Sequence, residues 1–247
     1  KSLVTGKNGM QATFKSVAAL VLLSASSAVE AASLRVSPVT LDLSMPRSSA
    51  TLTLRNDASQ PLGVQIRVFR WTQNGGADEY EPTTAVVASP PSTRLAPNRD
   101  YTVRVVRTSK APIAIEESYR IVIDEIPTRR VQRSGTINLV VRHSIPIFFR
   151  NPQADTPKVS WRLAQAGGKL KLVAQNTGGT RLKLADLVLE QGNSRLFARD
   201  GLVGYVLAGS TVEWPVVLRQ RPTAAAVTLR AKTQLGAIHE NVLAINR

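Results

Sequence analysis

From Ala50 onward one short pattern recurs: apolar, often β-branched residues at every second position, five or six residues at a time. It runs through Ala50-Thr-Leu-Thr-Leu-Arg55, Val64-Gln-Ile-Arg-Val-Phe69, Tyr101-Thr-Val-Arg-Val-Val106 and Tyr119-Arg-Ile-Val-Ile-Asp124. A period of two gathers the apolar groups on one side of an extended chain, so each segment reads as a strand with one face to bury. No comparable stretch carries the 3.6-residue period of an amphipathic helix. Turn residues separate the segments at Asn56-Asp57, Asn74-Gly-Gly76, Ser89-Pro-Pro91, Ala96-Pro-Asn98 and Pro127-Thr128. Short strands broken this often point to an all-β sandwich or barrel.

The pattern pauses once. After Arg150-Asn-Pro152 a polar, proline-containing stretch runs to Lys158, and strand-like segments resume at Val159-Ser-Trp-Arg-Leu163. They continue through Lys169-Leu-Lys-Leu-Val173, Arg181-Leu-Lys-Leu184, Leu187-Val-Leu189, Val212-Glu-Trp-Pro-Val-Val217, Ala226-Val-Thr-Leu-Arg230 and His239 to Ile245, with hairpin signals at Gly167-Gly168 and Gly178-Gly179. The expectation is an N-terminal domain over 32–150, a linker over 151–157 and a C-terminal domain over 158–247. Each is the size of an immunoglobulin-like sandwich.

Residues 1–31 read differently. Lys15 precedes the apolar run Val17–Leu23, and small residues lead to Val29-Glu-Ala31, a small-x-small site before Ala32. This is the layout of a cleaved secretory signal peptide, and the run is far short of the roughly 20 apolar residues that span a bilayer. Residues 1–9 precede Met10 and read as an extension upstream of the start. Of the charged residues only Lys1, Lys7, Lys15 and Glu30 fall before Ala32, so +13 of the net charge of +15 belongs to the folded part. An anionic partner or a set of basic anchoring groups suits such a balance.

Composition removes several function classes. With no Cys and two His, disulfide, thiol and Cys/His zinc chemistry is excluded, and no metal or cofactor is expected. His143 and His239 fall in different halves, Asp124 and Glu125 alternate faces, and no nucleophile–base pair or phosphate loop stands out, so an enzyme is not expected. The basic residues are spread along many strands and aromatics make up 5% of the chain, which argues against nucleic acid as the partner. Arg67, Arg70, Arg104 and Arg107 read as outer-face charges, and Trp71, Trp161 and Trp214 as core or rim.

Four stretches carry a resemblance: Ser37-Pro-Val-Thr-Leu41; Ala88-Ser-Pro-Pro91 with Arg94-Leu-Ala-Pro97; Tyr119-Arg120 leading to Asp124-Glu-Ile-Pro127; and Ser144-Ile-Pro-Ile-Phe-Phe-Arg150. In this order and spacing the chain resembles the PapD-like periplasmic pilus chaperones over about residues 33 to 245. The wording is more similar to their archaic, spore-coat-U-associated branch. The resemblance implies two immunoglobulin-like sandwiches in an L or boomerang, action in the periplasm, and no catalysis. It implies binding of pilus or fimbrial subunits by donor-strand complementation and delivery to an outer-membrane usher. The alternative is an exported two-domain adhesion or scaffold protein.

The resemblance also assigns residues. Ile137, Leu139 and Val141 in Thr136-Ile-Asn-Leu-Val-Val-Arg142 coincide with the family's donor positions. Read without it, the three would face the chain's own core. The family's usual basic anchors for the subunit's C-terminal carboxylate fall here on Pro38 and Pro146. Arg120 and Lys183 are therefore the anchor candidates, with Arg35 and Arg181 in reserve. Glu125 and Arg150 match an interdomain ion pair, the network's usual Asp being replaced near Gln234. An exposed donor edge also leaves self-association open.

Overall fold

The computed structural model describes residues 34–126, 140–166, 169–220 and 226–243, and every regular element among them is a strand. The signal peptide expected over 1–31 lies outside the described residues, as do Ile137 and Leu139. In the first domain one sheet has the order β1 (Leu34–Ser37), β3 (Ser49–Asn56), β8 (Asp100–Arg107), β6 (Val86–Ser89). The other runs β2 (Leu41–Ser44), β10 (Arg142–Arg150), β9 (Glu117–Ile126), β4 (Leu62–Asn74), β5 (Ala77–Pro82), with β7 (Ser92–Leu95) beside the start of β4. The period-two aliphatics meet between them: Leu52 and Leu54 against Ile66, Ile121, Ile123 and Ile145, all buried. Each such side chain stabilises the fold by about 1.5–3 kcal/mol.

The first strand changes sheets part-way. Residues 34–37 pair with β3, and residues 41–44 pair in parallel with β10 in the other sheet. Pro38, which has no N–H to give a ladder, lies in the crossing.

The second domain is one seven-stranded sheet in the order β14 (Ser194–Val206), β13 (Leu182–Gln191), β16 (Ala226–Thr233), β17 (Gly236–Leu243), β11 (Val159–Ala166), β12 (Lys169–Asn176), β15 (Thr211–Val216). The described residues of β17 and β11 meet only where Leu243 lies opposite Arg162. The sheet folds over its own core there, bringing Leu163 and Leu172 against Leu184, Leu189, Val227 and Leu229. Trp161 and Trp214 stack beside this core, 6.4 Å apart.

Two expectations change. Gly178-Gly179 does not close a hairpin, because β12 and β13 lie on different flanks of the sheet. The glycines are needed for a close approach instead: a Cβ on Gly178 would stand 2.2 Å from the Thr156 carbonyl oxygen. Buried Asn176 shapes this loop, its amide donating to the Thr180 and Val206 carbonyls and its oxygen accepting from the Lys158 and Gly178 N–H groups. Arg107 is not an outer-face charge. Its side chain is buried and donates to Glu117 at 2.9 Å and to the Ser109 and Ala111 carbonyls.

Candidate functional site

Strand β10 is paired unevenly. Along its whole length it lies against β9, from Arg142 opposite Asp124 to Phe149 opposite Glu117. On its other side β2 covers only residues 147–150. Residues 142–146 therefore have one edge without a partner strand among the described residues. Main-chain groups alternate in direction along a strand. The Val141 carbonyl accepts from Glu125 N–H, and the Arg150 carbonyl accepts from Met45 N–H beyond β2. By that alternation Arg142 and Ser144 turn both backbone groups to the open edge, and Pro146 turns only a carbonyl.

Side chains divide the same way. Ile145, Ile147 and Phe149 enter the sandwich core, whereas Phe148 lies on the outer face with Trp71 of β4 and Tyr205 and Leu207 of the second domain. Trp71 stands 5.9 Å from Phe148 and 5.4 Å from Tyr205, edge to face with the latter. Buried Gln73 locks the join: Nε2 donates to the Tyr205 carbonyl and Oε1 accepts from Leu207 N–H, each at 2.9 Å.

Arg120 and Lys183 come together around Tyr205. The Arg120 guanidinium lies 3.9 Å over Trp71 and 5.8 Å from the Tyr205 ring. Its Nε is buried without a partner, and it makes no ion pair with a described residue. Lys183 lies opposite Tyr205 in the β13–β14 ladder, hence on the same face, and is exposed. Gln234 fixes the backbone there, its amide donating to the Arg181 carbonyl and its oxygen accepting from Lys183 N–H. Two cations with no carboxylate partner among the described residues thus flank a tyrosine beside the β10 edge. Such a pair suits a carboxylate ligand.

The Glu125–Arg150 ion pair is overturned. Glu125 neighbours Val141, while Arg150, one step past Phe149, falls level with Glu116 at the opposite end of β9. About nine residues, roughly 30 Å of strand, separate the two. Burial raises the Glu125 carboxyl, a backbone bond from Val141 and the charge of His143 work against this, and its Oε1 has no partner. The interdomain bridge is built from Glu116, Asp42 and Arg181. Glu116 Oε1 and Oε2 accept from Arg181 N–H at 3.1 Å and Nη1 at 2.6 Å, and Asp42 Oδ2 accepts from Nη2. Arg150 approaches Asp42 at 3.8 Å. Burial pushes the Glu116 carboxyl up although Arg181 pulls it down. The antiparallel β9–β10 pairing held the clue: the end of β10 must face the start of β9, which selects Glu116.

Residues 33–154 match the family model described as pili and flagellar-assembly chaperone, PapD N-terminal domain. This stretch belongs to the PapD chaperone family. No curated protein matches its sequence. The second domain extends the likeness in solved structures. One is a chain of the CsuC–CsuE chaperone–tip adhesion subunit pre-assembly complex from the archaic chaperone-usher Csu pili of Acinetobacter baumannii. It is 22% identical, over 87% of this chain and 100% of that one, with a TM-score of 0.69. The E. coli chaperone DraB is 24% identical, over 87% of this chain and 98% of that one, at 0.54. The Pseudomonas aeruginosa CupB2 chaperone is 17% identical, over 86% and 100%, at 0.55. They share its fold.

Prolines stand at the two positions where the resemblance places basic anchors. Pro38 is exposed in the sheet crossing, and Pro146 is buried opposite Arg120. Of the three residues expected as donors only Val141 is described; it is partly buried, next to Val140 at 51% exposure. Arg35 is spent on Asp57 and Arg181 on the interdomain bridge, so neither reserve is free.

Proposed function

We propose that this protein is a periplasmic chaperone of the archaic branch that holds pilus subunits by donor-strand complementation and passes them to an outer-membrane usher. The observation that carries this reading is the stretch 142–146 of β10, open along one edge among the described residues, beside Arg120 and Lys183. Backbone bonds along an open edge give affinity for an extended segment, and alternate apolar side chains fill the partner's groove. Ile137, Leu139 and Val141 are the donors in this reading. The added strand runs parallel to β10, in line with β2, and ends where β2 begins. Its C-terminal carboxylate then lies near Arg120 and Lys183, which hold it. Removal of residues 1–31 and a division at 151–157 belong to the same proposal.

The test is co-expression of the protein from Ala32 onward with the exported subunits of its own host, followed by mass spectrometry of what co-purifies. A one-to-one complex with a pilin-like subunit is expected. Leu139→Glu should abolish capture without unfolding the chaperone, and masking the subunit's terminal carboxylate should weaken capture as Arg120→Ala and Lys183→Ala do. A clean, partner-free protein that leaves those subunits degraded would favour the scaffold reading.

A further inference from the structure

The outer face of the sheet carries a second basic feature that anchoring a terminal carboxylate does not use. Arg67 of β4, Asp124 of β9 and Arg142 of β10 join across three adjacent strands, Asp124 accepting from Arg67 Nη2 and Arg142 Nε at 2.5 Å each. One carboxylate between two guanidinium groups leaves a net positive charge. The Arg142 side chain is 67% exposed, Arg67 44% and Asp124 16%. Burial works to raise the Asp124 carboxyl, but the bonds from Arg142 and Arg67 outweigh it and hold it below the ordinary Asp range. Asp124 therefore stays ionised and fixes Arg142 through Nε. The Nη1 and Nη2 atoms of Arg142 make no bond to a described residue.

A guanidinium held in this way presents a fork of donors matched to a carboxylate. Arg142 opens β10 and turns its backbone to the unpaired edge, so a strand added there brings a side chain beside it, roughly 5 Å away between Cβ atoms. We infer that the open edge of β10 selects an extended chain with an Asp or Glu about four residues before its C-terminal residue, read by Arg142 with Asp124 as positioning residue.

The spacing follows from strand geometry. The added strand stops level with Pro146, since β2 takes over at Ile147. Arg142 lies four positions earlier, about 13 Å along a strand. An even step returns the side chain to the face that carries Arg142, while a step of three or five turns it away. The inference rests on the reading of this edge as the docking site of a strand with a free C-terminus.

The probe is a synthetic fluorescein-labelled peptide of alternating valine and serine with a free terminal carboxylate, carrying Glu or Gln four residues before its end. Anisotropy with the full chain at low salt should show the Glu peptide binding about fivefold tighter than the Gln peptide. Moving the Glu by one residue should abolish the preference. In Arg142→Gln the ratio should fall to about one, and Asp124→Asn should reduce it. Equal binding of the two peptides by the native protein, or a preference that survives Arg142→Gln, overturns the inference. The Gln peptide is also tested as its C-terminal amide. Preference for the free acid over the amide without preference for Glu sinks this inference alone. Equal binding of acid and amide, or no binding by any peptide, overturns the docking reading and the inference with it.

Discussion

Two arginines at the join between the domains differ in one respect. Arg181 sits 3.5 Å over the Phe148 ring and Arg120 3.9 Å over Trp71, and each has a buried Nε without a partner. Arg181 is bonded to two carboxylates, Glu116 and Asp42, whereas Arg120 has none among the described residues. Stacking on an aromatic ring holds a guanidinium in place, but its carboxylate partners decide whether its charge is neutralised within the fold. Arg181 is a strut between domains. In the proposed reading Arg120, with no carboxylate of this kind among the described residues, holds its charge for a ligand.

The largest effect that could break this contrast is in stability. Glu116→Ala removes the acceptor of both the Arg181 N–H and Nη1 and leaves a mostly buried cation short of a partner. We expect a loss of about 3 kcal/mol in urea unfolding. Unchanged stability would mean that Arg181 is no strut. Arg120→Ala should do the reverse, costing under about 1 kcal/mol in the same assay while lowering subunit capture at least about tenfold. A destabilised Arg120→Ala protein with normal capture would invert the comparison.

Smaller effects sharpen it. The Asp124 carboxyl titrates lower in the folded chain than in the unfolded one, so on acidification the unfolded state takes up the proton first. The stabilisation is complete above about pH 4 and is lost as pH falls through the lowered value. Asp124→Asn should flatten that part of the acid-unfolding curve, by less than about 1 kcal/mol because its partners are exposed. Smallest of all, a double-mutant cycle of Glu125→Gln with Arg150→Gln should give a coupling within about 0.3 kcal/mol of zero. A clear coupling would restore the ion pair that the strand register rules out.

The strands were legible because each has one buried face: Leu52 and Leu54 in β3 or Ile121 and Ile123 in β9 announce themselves by alternation. Arg120 and Lys183 were readable as candidates by residue type and resemblance. Groups whose role depends on a second segment were not. Glu116 and Glu125 look alike in sequence, and only the antiparallel register shows which meets Arg181. Gln73 and Asn176 sit among ordinary polar residues, yet their amides bond the backbone of chain more than a hundred and about thirty positions away respectively. Arg107 has the local pattern of a solvated charge, and only Glu117, on another strand, explains its burial.

Pro146 also bears on self-association, the pairing of this edge with a second copy of itself. Were two β10 edges to pair antiparallel about a two-fold axis through Ser144, each Arg142 would face a Pro146, and the missing N–H would be felt in both copies. A foreign strand laid along the same edge meets the defect once. Symmetry therefore doubles the cost of self-pairing relative to capture, and one imino acid biases an exposed edge toward unlike partners.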